Sequence, residues 1–410
     1  MQSLTPLSKI GRLKNFSREY HTDYDLTDPE LSDRWDEVVS DLHARCPVAH
    51  SQTGEGYWVV NGYADVARCA KDWRTFSSAD GFMVNRPAGM PYFAPAEVDP
   101  PLQRGLRAAL EPFLRPKTVA ALAPTVRAQA HRLIDDFCAT GTVELVSQFA
   151  NPLPQFVFSS VVAGMNPAEM PYLLDAFSFV GPEAERARNF ERGMLRIEAY
   201  LKARSSAPAR GDIVDALLAF EHPDYHWMDK VGTLCQLTIG GIGTTGYAFS
   251  GGVYHLATHP QDRAALLADP ARLGPALDEF LRLYLGVVNM ARRVQTPVVV
   301  GGVSMAAGDR VLLSFGAACR DPAYFEDPQT VDLQRAPQPN LAFGTGVHRC
   351  IGEALARLVL RVGYEVLLER LPHFTVDRQF EPEYATGSTR HMTHLPLRFT
   401  PSPPLAAGRA

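Results

Sequence analysis

The chain has 410 residues, a formal net charge of −5, 46% hydrophobic and 21% charged residues, which suits a globular protein with a sizeable core and excludes a disordered chain. The acidic balance argues against a nucleic-acid binder and leaves any basic surface local. Six cysteines, at 46, 69, 138, 235, 319 and 350, lack CxxC pairs and fit free thiols in a reducing compartment better than a disulfide scaffold.

The N-terminal stretch to Ser17 is polar, is expected to be loose, and has no apolar run for a signal peptide or anchor, so a cytoplasmic protein is expected. Tyr57, Trp58, Val59 and Val60 between Gly56 and Gly62 predict a strand. Thr118–Thr140 reads as one amphipathic helix, with Val119, Leu122, Val126, Ala130, Leu133 and Phe137 at three- and four-residue steps. A shorter helix is predicted over Val214–Phe220.

From Val231 to Pro260 there is no charged side chain, a length that would span a bilayer. Seven glycines, Gln236, His255 and several hydroxyls in this run, with no second candidate span, favour a long helix buried through a soluble domain. Pro260 and Gln261 open a further helix ending near Ala271. Pro297–Leu313 alternates apolar blocks with Gly301–Gly302 and Gly308–Asp309 turns, which predicts a small sheet. Gly316–Gly346 reads as an irregular meander rich in Pro, Asp, Asn and Gly, and the tail from Pro401 is expected to be loose. No repeat or linker divides the chain. The fold class expected is mainly α with small β-sheets (α+β), one domain over 18–400.

The most informative window is Phe343-Gly344-Thr345-Gly346-Val347-His348-Arg349-Cys350-Ile351-Gly352-Glu353-Ala354-Leu355-Ala356-Arg357. Ile351, Leu355, Leu358 and Val362 make one helical stripe, so Cys350 stands just before or at the start of a helix. The open backbone N–H groups there, the helix dipole and Arg349 favour a thiolate. Gly344 and Gly346 let a loop lie flat against a planar group.

This window resembles the haem-binding loop of the cytochrome P450 family, Phe-Gly-x-Gly-x-His-x-Cys-x-Gly-x-x-Leu-Ala-Arg. Glu279-Phe280-Leu281-Arg282 is similar to the family's Glu-x-x-Arg helix. Ala317-Ala318-Cys319-Arg320-Asp321-Pro322 is similar to its Ala-Asn-Arg-Asp-Pro element with Cys319 in place of Asn, and His394–Phe399 to its C-terminal strand. The resemblance implies a haem b between the long central helix and the Cys-ligand helix, with iron bound axially by Cys350. Phe343, Gly344, Gly352, Gly240 and Gly241 would line the haem. Arg107, Arg292 and His348 would hold its propionates, and Gln103 stands where the family usually has His. Glu279, Arg282 and Arg335 are expected to form a buried ion cluster serving fold and haem retention.

Gly240-Gly241-Ile242-Gly243-Thr244-Thr245 resembles the family's oxygen-binding segment, with Gly243 in place of the usual acid. Thr244 would bond back to the Gly240 carbonyl or turn toward dioxygen. The space at Gly243 would hold a water of a relay through Thr244, with Thr245 alongside. The substrate pocket is expected from Phe82, Met83, Asn85, Arg86, Phe177, Phe179, Ile239, Ile242, Val287, Val288, Ser388 and Thr389, with Asn85 and Arg86 taking a polar or carboxylate group. A basic face of Arg104, Arg115, Lys117, Arg349, Arg357 and Arg361 would receive a ferredoxin-type electron donor.

The expectation is a haem-thiolate monooxygenase that hydroxylates or oxidatively dealkylates a small to medium organic substrate. Electrons would come from a separate ferredoxin and ferredoxin reductase. The replacement at Gly243 keeps a nitric oxide reductase or a peroxide-driven oxidase in view, and a haem sensor without turnover is the alternative of another class.

Overall fold

The uncharged run becomes most of a 32-residue helix, Trp227–Thr258, about 48 Å long at 1.5 Å per residue. The computed structural model describes residues 16–84, 86, 90–177, 183–377, 379–385 and 387–405. The helix begins on a capping box in which Asp229 accepts the His226 N–H at 2.8 Å. It is buried from several sides, which explains the missing charges. Among the described residues no helix is long and apolar enough to cross a membrane.

Glycines let neighbours approach this helix closely. A Cβ at Gly246 would lie 2.2 Å from Asn151 Oδ1 and 2.8 Å from the Ala150 carbonyl oxygen, and one at Gly252 would lie 2.1 Å from the Tyr364 hydroxyl. Tyr364 is carried by the helix Glu353–Arg370 and donates to the Phe249 carbonyl at 2.8 Å. The central helix and the helix that follows Cys350 are thereby fastened at their crossing.

A five-stranded sheet lies to one side, in the order 48–51, 57–60, 310–314, 289–294 and 76–77. Its second and third strands pair in parallel and the rest are antiparallel. The strand expected over 56–60 is Tyr57–Val60, and the sheet expected over 297–313 comprises the hairpin Val298–Val300 with Val303–Met305 and the strand Arg310–Ser314. The C-terminal strand Pro396–Phe399 sits between Thr142–Glu144 and Phe374–Thr375.

Two expectations change. Thr118–Thr140 is not one helix: Pro116–Ala120 stops and Ala123–Asp135 starts afresh. Pro124 lacks an N–H and its ring would collide with the carbonyl four residues back, so the apolar period runs on across a break in the backbone. The described parts of the tails are also fixed. Phe16 is buried, Ser17 N–H donates to Glu30 at 2.8 Å, and the N–H groups of Ser402 and Leu405 bond to the Cys138 carbonyl and Asp135 at 2.9 and 3.0 Å.

Gly246→Ala tests the close approach. Helix propensity alone would stabilise this substitution by about 1 kcal/mol, whereas overpacking costs about 1–3 kcal/mol. Thermal unfolding should show a Tm lowered by about 2 °C or more; a raised Tm would mean that propensity wins.

Candidate active site

Cys350 opens into a cavity of about 220 Å³ between the central helix and the helix Glu353–Arg370. Its loop is closed by the Cys350 N–H donating to the Phe343 carbonyl at 2.8 Å. Gly344 and Gly346 sit at φ +65° and +73°, where a side chain is strained. A Cβ at Gly346 would also lie 2.6 Å from the Ala70 carbonyl oxygen, whereas at Gly344 it would meet open space. Burial pushes the Cys350 thiol up, against the Gly352 N–H and the charges of Arg107 and Arg349. Dipole and arginine therefore do not secure the thiolate alone; a bound metal ion deprotonates a coordinating thiol outright.

One edge of the cavity is built for an anion. Arg292 is buried, and among the described residues its guanidinium donates only to the neighbouring Ala291 carbonyl, at 2.7 Å. Burial lowers its pKa to about 10, opposed by Asp99 and assisted by Arg310. Among the described residues the buried His348 Nδ1 and Nε2 have no hydrogen-bond partner, with Asp99 Oδ1 3.7 Å from Nε2. Burial lowers the His348 pKa against the pull of Asp99. Arg107 also lines the cavity; its Nε bonds Glu111 and its Nη1 the Arg349 carbonyl, at 2.8 and 2.7 Å. A buried guanidinium and an orphaned imidazole suit the carboxylates of a haem. Open faces at Gly240 and Gly344, with Gly352 adding only its contact to Cys350 Sγ, suit its flat macrocycle. The residues present fit the group.

Gln103 does not share this task. Its amide donates to the Val347 carbonyl, so it braces the cysteine loop, and its Oε1 is buried without a partner. The acid–arginine cluster is assembled as expected. Arg282 reaches both Glu279 oxygens at 2.7 and 2.8 Å, and Arg335 Nε reaches Oε1 at 3.0 Å. Burial alone would raise the Glu279 carboxyl, but the Arg282 bonds and charge, the Asp332 N–H and Arg335 hold it below the usual range. Arg282 also donates to the carbonyls of Cys319, Pro328 and Thr330. Cys319 Sγ accepts the Leu341 N–H at 3.4 Å, so this sulfur ties the Ala317–Pro322 element to the start of the haem loop.

On the central helix, Gly240, Gly241, Thr244 and Thr245 line the cavity. The Thr244 hydroxyl donates back to the Gly240 carbonyl at 2.8 Å, leaving its lone pairs for a donor from the cavity. Gly286 packs against it: a Cβ there would lie 2.7 Å from the Thr244 Cα. The water space expected at Gly243 is not open. A Cβ at Gly243 would lie 2.8 Å from the Tyr247 hydroxyl and 2.9 Å from its Cζ, because that ring, one turn on, fills the gap.

Of the expected pocket residues Val287 lines the cavity. Ile239 and Ile242 do not, since the cavity face runs through 236–237, 240–241, 244–245 and 248, out of phase with them. That phase was legible in the sequence and yields Gln236, Leu237 and Ala248, to which the fold adds Pro95, Ala96, Phe158 and Met290. Arg86 is not offered to substrate. It pairs with the buried Glu97 at 3.1 Å and bonds the Met90 and Pro91 carbonyls, while Glu97 takes the N–H groups of Phe82 and Phe93. Phe82 and Phe177 pack in an aromatic group with Phe93 and Phe190. The Met83 carbonyl accepts from Arg310, Val288 is core, the Ser388 carbonyl accepts the N–H groups of Val288 and Asn289, and Thr389 bridges to Val287. Asn85 and Phe179 lie outside the described residues.

Of the residues expected to form a basic face, Arg104, Arg115, Lys117, Arg349 and Arg361 are exposed and Arg357 is half-buried. Arg349 and Arg357 both pair with Glu353, and Arg357 with Asp278, which lowers the net positive charge there.

Residues 273–396 match the family model described as Cytochrome P450. The chain is similar to the "Cytochrome P450 monooxygenase PikC" of Streptomyces venezuelae, 32% identical over 384 residues, 87% of this chain and 89% of that protein. It is also similar to a "Steroid C26-monooxygenase" of Mycobacterium tuberculosis, 29% identical over 379 residues, 89% and 93% of the two chains. Among solved structures, a mutant of P450 EryK in complex with erythromycin B superposes with a TM-score of 0.81 at 26% identity, covering 93% of this chain and 100% of that one.

Glu279→Gln should lower the free energy of unfolding by about 3–5 kcal/mol in denaturant titrations, because the buried Arg282 and the half-buried Arg335 lose their countercharge. The depressed Glu279 pKa also fixes a pH sign. Its stabilisation is complete above the ordinary carboxylate range and is lost as pH falls through the lowered value. Unfolding midpoints of wild type and Glu279→Gln should therefore converge in acid; a constant gap would contradict the assignment.

Proposed function

The chain belongs to the cytochrome P450 family, and from that premise we propose that it hydroxylates or oxidatively dealkylates a small to medium organic molecule with electrons from a separate ferredoxin and ferredoxin reductase. As a family member it is a monooxygenase that uses haem with a cysteine thiolate. The observation that carries the reading is the joint lining of one cavity by Cys350, by Thr244 of the central helix and by the buried Arg292 with His348 at its edge. When bound, the haem supplies activation of dioxygen, and a thiolate ligand pushes electron density toward iron and favours O–O cleavage.

The protein's own groups have separable tasks. Cys350 would ligate, while Arg292, His348 and Arg107 would hold the propionates and Gln103 would brace the loop. Thr244, released from its back-bond to Gly240, would move a proton at Oγ1, with Gly243 and Thr245 flanking it. Leu237, Val287 and Met290 would hold an apolar substrate, with the Gln236 amide giving direction. The domain would span 18–400, and five buried free cysteines suit a reducing, cytoplasmic setting. Arg104, Arg115, Lys117 and Arg361 would steer an acidic ferredoxin, helped less by the paired Arg349 and Arg357.

The glycine at 243 also favours a second reading, a peroxide-driven oxidase or nitric oxide reductase that bypasses the acid-gated proton route. Product formed from oxygen with ferredoxin-borne electrons supports the first reading. Product formed only with peroxide, or nitric oxide consumed directly with a nicotinamide cofactor, supports the second.

The reduced protein with carbon monoxide should show the strongly red-shifted Soret band of thiolate ligation, absent in Cys350→His; a histidine-type band in the wild type would overturn the ligand assignment. Thr244→Ala should keep that band and lower product formed per electron pair by about tenfold. Unchanged coupling would remove Thr244 from proton delivery.

A further inference from the structure

Tyr247 is a buried phenol one turn beyond Gly243 on the same helix face. Its hydroxyl and Cζ lie 2.8 and 2.9 Å from where a Cβ at 243 would be. No hydrogen bond to that hydroxyl is found among the described residues, and burial pushes its pKa upward. The ring is clamped in place. His391, buried, stacks on it with centroids 3.8 Å apart and planes 10° from parallel.

Behind the ring is a cavity of about 10 Å³ bordered by Tyr247, Tyr284, Arg320, Tyr384, Arg390 and His391, room for about one water. Two buried atoms of its lining residues, His391 Nδ1 and Arg390 Nε, lack partners among the described residues, so a water there would find polar contacts. Arg320, on the same wall, pairs at 3.1 Å with the half-exposed carboxylate of Asp36.

We propose that Tyr247 is a positioning residue for proton delivery that stands in for the absent acid at 243, acting on Thr244 through its clamped hydroxyl and a bound water. The proposal rests on the oxygen-activating reading above. The group stays a phenol throughout: its O–H proton passes toward the Thr244 hydroxyl through one water while it takes a proton from the water behind the ring, and that water regains its proton from bulk solvent past Arg320 and the half-exposed Asp36. No electron moves in this relay. The overall reaction takes substrate, dioxygen, two electrons from the ferredoxin and two protons, and returns oxidised substrate and water. A buried phenol that remains protonated suits such a relay, because it donates and accepts without holding a charge in an apolar site. His391, which burial lowers to about 4, is likewise neutral; it fixes the ring.

The test separates the hydroxyl from the ring. Tyr247→Phe keeps the stacking, so the thermal midpoint and the carbon monoxide spectrum should match wild type. Product per electron pair should fall by about tenfold or more, with a larger solvent deuterium isotope effect on coupled turnover. Gly243→Asp should lower the thermal midpoint, because the carboxylate is forced onto a ring that cannot yield. Gly243→Asp with Tyr247→Ala should recover the midpoint and the coupling together.

Equal coupling in wild type and Tyr247→Phe would overturn this inference alone, as would an unchanged midpoint in Gly243→Asp. A wild type that forms no product from oxygen and ferredoxin-borne electrons would instead overturn the oxygen-activating reading, and this inference with it.

Discussion

Arg282 uses all five of its N–H donors in the interior: two on Glu279 and one each on the carbonyls of Cys319, Pro328 and Thr330. A guanidinium so saturated has no equivalent alternative position. It joins the helix Leu273–Leu283 to the meander, a segment with little regular structure to hold it. From that segment the chain runs directly into the loop ending at Cys350. The position of the sulfur relative to the central helix depends on this charged knot as much as on apolar packing. Phe325 beneath the guanidinium, 5.0 Å from its ring centre, adds an apolar floor that keeps water away.

The cation edge of the cavity follows the opposite principle. Arg282 is satisfied by protein; Arg292 is buried with few partners, and among the described residues neither buried ring nitrogen of His348 has one. Holding them there opposes folding until an anion arrives, so cofactor binding and stability are linked by mass action. One buried charge cluster thus builds the frame, and the other is left incomplete for its ligand. In sequence the first meets the chain ahead of the cysteine loop, through 319–341, and the second enters the loop itself, at 348.

Much of this was legible in the sequence, and the reasons differ by residue. The missing charges between 231 and 260 report burial of a helix directly. The glycines around Cys350 report φ values that other residues rarely adopt. Periodicity did not reveal the break before Pro124, because an apolar stripe continues across it. The pocket was harder to read. Ile239 and Ile242 look like cavity residues by chemistry, but the phase set by Gly240 and Thr244 turns them away. Arg86 looks like a ligand for substrate until Glu97, eleven residues on, is seen to meet it. Tyr247 is hard to read from sequence for a related reason: the gap beside a glycine reads as empty, whereas a side chain one turn away fills it.

Gly286 has a consequence for how this enzyme would tolerate change. Its backbone rests on Thr244, and the next residue, Val287, is a wall of the cavity. The helix turn that carries the Thr244 hydroxyl and this part of the cavity wall are therefore mechanically one part. Remodelling the 286–287 turn to admit a bulkier guest displaces the helix at Thr244 as well. In a directed-evolution campaign, gains in substrate range at this turn would come with leaked reducing equivalents, whereas changes at Gln236, about two helical turns from Thr244, would leave that hinge untouched.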